Sequence, residues 1–246
     1  MKIFLCTPLF FMVGITLLAQ SSKGHITYNR KTDYISIMSK LPHISQEDVD
    51  RMSLTWGNYE RKGDDYELYF DNQKSLYVRA ERESEGGYSW KPSKLILMRD
   101  YKNNTQEDLI ETLGKVYHLE ENLPRTRWKI LNEIKEVAGY VCMKAETRIE
   151  NRDQTVHAWF TDAIPFSGGP EGYGGLPGTI LEIDINDSDA IITAIKVDLE
   201  AADLKIPYPK KIKGKEIAKA DYDKLVNKYI EETIAGKKNP YWRVRY

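Results

Sequence analysis

The sequence predicts a mainly β protein of the α+β class. We expect one long, curved antiparallel sheet, half-barrel-like, with a short N-terminal helix and a C-terminal amphipathic helix. Three observations support this prediction. Polarity alternates along most of the chain, as in strands with one buried face. Short polar segments rich in Asn, Asp and Gly separate these stretches. The 16 tyrosines and 5 tryptophans suit the pleated surface of a sheet.

The expected strands follow one another at short intervals, which favours a mostly sequential meander. Turns are expected at 71–74, 151–153 and 186–189. The strands are predicted at 25–29, 66–70, 75–79, 94–101, 115–119, 128–131, 139–149, 155–161, 179–185 and 190–199.

Two helices and one mobile loop complete the predicted elements. Residues 46–52 have a helical pattern, and Ser45 is placed to cap it. Apolar residues recur near helical spacing over 221–234, which predicts an amphipathic helix packed on a sheet face or rim. The polar, glycine-containing stretch at 83–93 is expected to be a mobile loop.

The N-terminus has the pattern of a secretory signal peptide. Lys2 precedes an apolar run over 3–18, and the run ends at the small residue Ala19, where we expect cleavage. Residues 1–19 would then be removed, and residues 20–246 would form a single antiparallel β domain. No later stretch is long and apolar enough to predict a membrane-spanning helix.

Composition excludes some classes of partner and of stabilisation. The chain has 36 Lys and Arg against 37 Asp and Glu, a net charge of −1, so nothing indicates nucleic acid as a partner. After removal of residues 1–19, Cys142 is the one cysteine left. It has no intramolecular partner, so the hydrophobic core must hold the fold.

The stretch 158–183 differs most from ordinary structure. A predicted strand ends at Pro165, and the following loop contains six glycines and two further prolines before the next strand begins at Thr179. Glycine permits positive φ and proline fixes φ, so such a loop holds one specific shape. It is predicted either to bind a ligand or to close the sheet. The candidate binding residues are Trp159, Pro165, Phe166, Gly169, Pro170, Tyr173, Leu176 and Pro177.

In this region the chain resembles the exported bacterial proteins called the GLPGLI family. The namesake motif is present over 175–180 as Gly-Leu-Pro-Gly-Thr-Ile, with threonine in place of leucine. The segments 158–165, 169–170 and 139–145, and the strand at Trp128, also match that family's pattern. The resemblance implies an envelope protein of Gram-negative bacteria, periplasmic or peripherally attached to the outer membrane. It implies no reaction. The same pattern also looks like curved lipoprotein-carrier folds.

The sequence gives only weak signals for a catalytic or metal site. Cys142 and His157 fall on the two arms of one predicted hairpin, but they are about four residues out of register. This offset corresponds to ~13 Å along a strand, which is too far for a nucleophile and its base. Residues 184–189 begin like a calcium loop but lack its glycine, and an ordinary hairpin turn is favoured. No catalytic motif, cofactor motif or close-spaced histidine pair is present, so no catalytic residue, metal or cofactor is predicted.

The lysine-rich run over 210–219 has two interpretations. It suits an anionic lipid headgroup or an acidic partner. Because the total charge is near zero, the sequence alone favours a solvated edge that resists aggregation.

The function predicted from these patterns is an envelope accessory or binding protein. Its ligand is expected to be an apolar small molecule such as a lipid, or another envelope protein. The alternative is a hydrolase whose site is assembled from distant residues. A pocket with convergent titratable groups favours the hydrolase, whereas a smooth apolar groove favours the binding module.

Overall fold

The computed structural model describes residues 23–56, 63–80, 93–150, 154–199 and 205–239. The predicted signal peptide, the predicted loop at 83–92 and the turn at 151–153 lie outside these residues. Residue 93, the last of that predicted loop, precedes a strand that begins at Leu95.

Within the described ranges, twelve strands form one sheet, and the predicted mainly β class is confirmed. The strands are β1 (Gly24–Thr32), β2 (Asp64–Phe70), β3 (Lys74–Arg79), β4 (Leu95–Asp100), β5 (Thr105–Thr112), β6 (Lys115–Asn122), β7 (Lys129–Val137), β8 (Tyr140–Ile149), β9 (Gln154–Thr161), β10 (Thr179–Ile185), β11 (Ala190–Asp198) and β12 (Lys215–Glu216).

The strand order is β12-β6-β5-β4-β3-β2-β1-β11-β10-β9-β8-β7. Two sequential meanders, β1 to β6 and β7 to β11, are therefore joined by the antiparallel pair of β1 and β11. The predicted strands at 115–119 and 128–131 are consecutive in sequence but lie near opposite ends of the sheet. A short β12 pairs in parallel with β6, so the sheet is mixed rather than purely antiparallel.

In the described part of the chain, three α-helices accompany the sheet. The predicted helix at 46–52 is α2 (Gln46–Trp56), and its Asp48 amide donates to the Ser45 hydroxyl over 3.2 Å. The predicted C-terminal helix is α3 (Lys219–Ala235). A third helix, α1 (Tyr34–Ser39), was not predicted. It is short, and Asp33 caps it by accepting from the Ser36 amide over 2.7 Å.

The main core lies against one face of the sheet and contains residues of both meanders. Tyr28 of β1 is fully buried and donates its hydroxyl to the Ile180 carbonyl of β10 over 2.7 Å. A second, smaller cluster joins Tyr117 and Leu119 of β6 to Tyr222 of α3. The C-terminal helix is thus held on the sheet by its own apolar contacts, apart from the main core.

The predicted hairpin turn between β10 and β11 is confirmed. Asn186, Asp187 and Ser188 all have positive φ, a conformation that Asn and Asp tolerate well. The Asp184 carboxylate accepts from the Ser188 amide over 2.6 Å. Asp189 instead pairs with Lys40 over 2.6 Å, next to α1. The acidic side chains at both ends of the turn therefore have protein partners.

Among the described residues, no helix combines the length and the apolarity that crossing a membrane requires.

Candidate functional site

A cleft of about 900 Å³ lies between the sheet and α3. Leu97 of β4 and Ile110 of β5 line it from one meander, and Thr147 of β8 lines it from the other. These strands are far apart in the strand order, so the sheet must curve to bring them to one cleft. This curvature agrees with the half-barrel expected from the sequence. The apolar part of the lining is Leu95, Leu97, Ile110, Ile149, Tyr173, Tyr222, Val226 and Ile230.

A buried ion pair joins two strands beside this cleft. Arg99 of β4 and Asp108 of β5 form a bidentate pair, with Nη2 donating to Oδ2 over 3.4 Å and Nη1 donating to Oδ1. Nη1 also donates to the carbonyl of Met98 over 2.9 Å. Both side chains are almost fully buried. Burial raises the pKa of the Asp108 carboxyl, and the Arg99 charge opposes this shift.

A strained turn closes over this pair. Pro170–Gly172 forms a single 3-10 turn, in which Glu171 has a φ of 55° and Gly172 a φ of 79°. The Glu171 carboxylate lies 3.1 Å from Nε of Arg30, and both side chains are about nine-tenths buried. Gly172 lies against the Arg99 guanidinium without room for a Cβ. Two arginines thus set the position of the turn that lines the cleft.

The other wall of the cleft is α3, from Lys219 to Glu231. The Tyr222 hydroxyl lies 2.7 Å from the hydroxyl of Thr112 on β5, and its ring packs on Tyr117 of β6. Lys219 pairs with Asp223 one turn further along the helix. These contacts place Asn227 and Glu231 along the cleft, where both are exposed.

Two exposed arginines are part of the cleft lining. Arg125 and Arg127 lie in the connection from β6 to β7, line the cleft and are exposed. Neither has a hydrogen-bonding or ionic partner among the described residues. Basic and acidic side chains are equally numerous around the whole cleft, five of each: Arg99, Arg125, Arg127, Arg148 and Lys219 against Asp108, Glu150, Glu171, Asp223 and Glu231. The cleft therefore combines apolar walls with charged groups that balance one another, and it is not a smooth apolar groove.

Most of the predicted loop is packed into the core. Phe166 is 4% exposed and stacks on Phe70 with ring centroids 4.2 Å apart. Leu176 is 3% exposed, and Pro170 is buried. A Cβ on Gly169 would lie 2.6 Å from the Cβ of Ile180, so glycine is required there. This part of the loop closes the sheet onto the core, as one of the two sequence interpretations expected.

The other predicted binding residues are divided among separate places. Pro165 and Pro177 are exposed. Tyr173 lines the cleft, with Trp128 beside it at a centroid distance of 6.3 Å. Trp159 is partly buried elsewhere, with the Lys135 Nζ 4.3 Å from its ring centroid. Of the eight candidates, Tyr173 alone lines the cleft.

The cysteine and histidine pattern agrees with the register expected from the sequence. His157 pairs directly with Glu146 across β8 and β9, and their side chains are 3.2 Å apart. Cys142 lies further along β8 and is fully buried. Burial raises the pKa of its thiol to about 11. The arrangement does not make a nucleophile and its base.

Sequence patterns did not identify Arg99, Asp108 or Glu171. Each is an ordinary charged residue in an alternating strand or a loop, and only the fold brings them together. The local sequence contains one weak signal, because Asp108 directly precedes the apolar residues Leu109 and Ile110, but no strand was predicted there. Within the described ranges, no group of three or more His, Cys, Asp and Glu side chains is arranged to hold a metal ion.

The chain resembles two solved structures of PNGF-II. The structure in the P21 space group has a TM-score of 0.54 at 17% identity, covering 83% of this chain and 33% of that one. The structure in the C2 space group has a TM-score of 0.52 at 18% identity, covering 82% and 32%. These matches show a shared fold, and the chain spans about a third of the length of those proteins.

No curated protein sequence matches the chain significantly. A family model described as "N-glycanase peptide, N-terminal domain" matches residues 56–228. This range covers more than half of the sequence, from the end of α2 to the middle of α3. The chain therefore belongs to the family of N-glycanase N-terminal domains.

Proposed function

We propose that this chain is an accessory binding domain of the bacterial cell envelope, and that it holds its ligand in the cleft beneath α3. The observation that carries the proposal is the cleft itself, which both meanders and the helix build together. Concave sites with apolar walls and a few fixed polar groups are typical of ligand binding. The signal-peptide pattern at the N-terminus and the resemblance to GLPGLI proteins support the envelope location.

The ligand we propose is the glycan chain of an N-linked glycoprotein. The cleft has nearly balanced charge, and tyrosine rings and paired ionic groups lie along its walls. A neutral molecule with many hydroxyl groups can stack on such rings and exchange hydrogen bonds with such polar groups. The family name supports the same choice, because an N-glycanase is named for its action on N-glycans. A purely apolar ligand, one of the two kinds of partner expected from the sequence, would leave the polar groups without new partners.

Calorimetric titration with an N-linked oligosaccharide tests this proposal. Asn227 and Lys228 are neighbours on α3 and both are exposed, but only Asn227 lines the cleft. We expect N227A to weaken binding about three- to tenfold through loss of hydrogen bonds, and K228A to leave it unchanged. Binding of a fatty acid instead of the oligosaccharide would favour the apolar ligand. Equal effects of both variants would contradict binding in the cleft.

A hydrolase remains the second candidate because of one specific group. Asp108 borders the cleft, and burial raises the pKa of its carboxyl. Carboxyl groups with raised pKa serve as general acids in many enzymes. Arg99 occupies both carboxylate oxygens of Asp108, which favours a structural role. Incubation with an N-glycopeptide, followed by mass spectrometry for released glycan, separates the two functions. Release that D108N abolishes would establish the hydrolase.

A further inference from the structure

The segment before α3 carries an exposed set of lysines. We define residues 205–217 as the basic strap. Within it lie Lys205, Lys210, Lys211, Lys213 and Lys215, against one acidic residue, Glu216. All five lysines are exposed, and none has a carboxylate partner in the part of the chain that the structure describes. A chain of net charge −1 therefore concentrates unpaired positive charge on one segment.

The strap is fixed to the sheet at its C-terminal end. The Ile217 amide donates to the His118 carbonyl over 3.0 Å, and β12 pairs with β6. Before this anchor, residues 210–214 are all exposed. The lysines are thus presented by a segment whose end is held at the edge of the sheet.

Apolar side chains are exposed among the lysines. Ile212 is 42% exposed and Tyr208 is 37% exposed. A solvated edge that resists strand pairing needs only the lysines. Such an edge gains nothing from an exposed isoleucine. A membrane surface accounts for both features, because lysines attract anionic headgroups while tyrosine is favoured at the membrane interface.

We propose that the basic strap binds the surface of a membrane that contains anionic phospholipid. The phosphate groups are contacted by Lys210, Lys211, Lys213 and Lys215, and Ile212 enters the headgroup layer. This contact is peripheral and needs no membrane-spanning segment. It is independent of the ligand cleft, which lies on the other side of β6 from β12 in the strand order.

Vesicle co-sedimentation of the full chain tests this proposal. Vesicles of phosphatidylglycerol mixed with phosphatidylcholine are compared with vesicles of phosphatidylcholine alone, because the apolar N-terminal run over 3–18 affects both kinds of vesicle. We expect a preference for the anionic vesicles that decreases as salt is added. The quadruple variant K210Q/K211Q/K213Q/K215Q should lower the affinity for anionic vesicles about six hundredfold, because each lysine near the surface contributes about fivefold.

The matched control removes the same charge elsewhere. K31Q/K102Q/K237Q/K238Q changes four lysines that are also exposed but lie outside the strap, and we expect it to keep most of the affinity. I212S should weaken binding to anionic vesicles about tenfold without changing the salt dependence. Equal losses from the two quadruple variants, or equal affinity for the two kinds of vesicle, would overturn the proposal.

Discussion

Gly172 lies directly against the guanidinium group of Arg99, so closely that a Cβ at position 172 would overlap an Nη nitrogen. The same glycine has a φ of 79°, which other L-residues adopt only at a cost. This contact joins the loop that closes the sheet to the buried ion pair that borders the cleft. The position of the Pro170–Gly172 turn therefore depends on the absence of a side chain at one residue.

The variant G172A tests this contact. We expect a loss of about 2–4 kcal/mol in the free energy of unfolding, from the left-handed backbone and from displacement of Arg99. Gly139 is the control, because it has a φ of 83° and its Cβ would meet nothing within 4 Å. G139A should lose only about 1–2 kcal/mol. Equal losses in urea unfolding would show that the contact with Arg99 contributes nothing.

Phe166 tests whether the glycine-rich loop is part of the core. Its ring stacks on Phe70 and meets Tyr101 edge-on at 5.5 Å. F166A should cost about 3–5 kcal/mol, because truncation leaves a cavity in this aromatic cluster. The neighbouring Pro165 is exposed, so P165A should cost less than about 1 kcal/mol. A small loss for F166A would mean that the loop is only loosely held.

The pH dependence of stability provides a test of Asp108. Burial raises the pKa of this carboxyl in the folded state. Its favourable contribution is thus fully present below the unfolded pKa of about 3.9 and is lost as the pH rises through the folded pKa. Relative to D108N, the wild-type protein should become less stable over that rise, as measured by urea unfolding at several pH values.

Asp100 is the control, because its pKa is shifted in the direction opposite to that of Asp108. The Asn103 amide and then the Lys74 ammonium hold the pKa of Asp100 below its usual range. Its contribution is present above the unfolded pKa and is lost as the pH falls through the folded pKa. Relative to D100N, the wild-type protein should therefore lose stability towards acid. The same sign of slope for both comparisons would contradict the different environments of these two carboxyl groups.

Cys142 should be unreactive in the native protein. Its thiol is fully buried and its pKa is raised to about 11, so almost no thiolate is present at neutral pH. We expect iodoacetamide to leave Cys142 unmodified until urea unfolds the chain, whereas an exposed thiol would react. Peptide mapping by mass spectrometry distinguishes Cys142 from Cys6. Fast native alkylation of Cys142 would revive the interpretation of a nucleophile.

Local sequence patterns were sufficient for most of the elements but not for the cleft. Alternating polarity predicted β1, β2, β3 and β8 to β11, because period two requires only neighbouring residues. It missed β5, where Glu107 and Asp108 interrupt the alternation. It also missed the separation of β6 from β7, since consecutive strands usually pair. The pairing of β1 with β11 joins residues between 158 (Thr32 and Ala190) and 173 (His25 and Asp198) positions apart, and no local pattern encodes it.

The candidate site, too, could be predicted only in part from local sequence. The glycine and proline content of residues 165–178 correctly marked a loop of specific shape. It did not distinguish a loop that packs inward from one that meets a ligand, because Phe166 and Leu176 suit either role. Arg99, Asp108 and α3 meet only in the folded chain, so the cleft could not be predicted from spacing.

Hydrogen–deuterium exchange with and without an N-linked oligosaccharide is the most direct test of the proposed cleft. We expect slower exchange in three segments that border the cleft, namely β5, residues 124–127 and residues 219–231 of α3. Exchange in β7, at the far edge of the sheet, should not change. Protection confined to residues 158–168, or no protection at saturating oligosaccharide, would contradict ligand binding beneath α3.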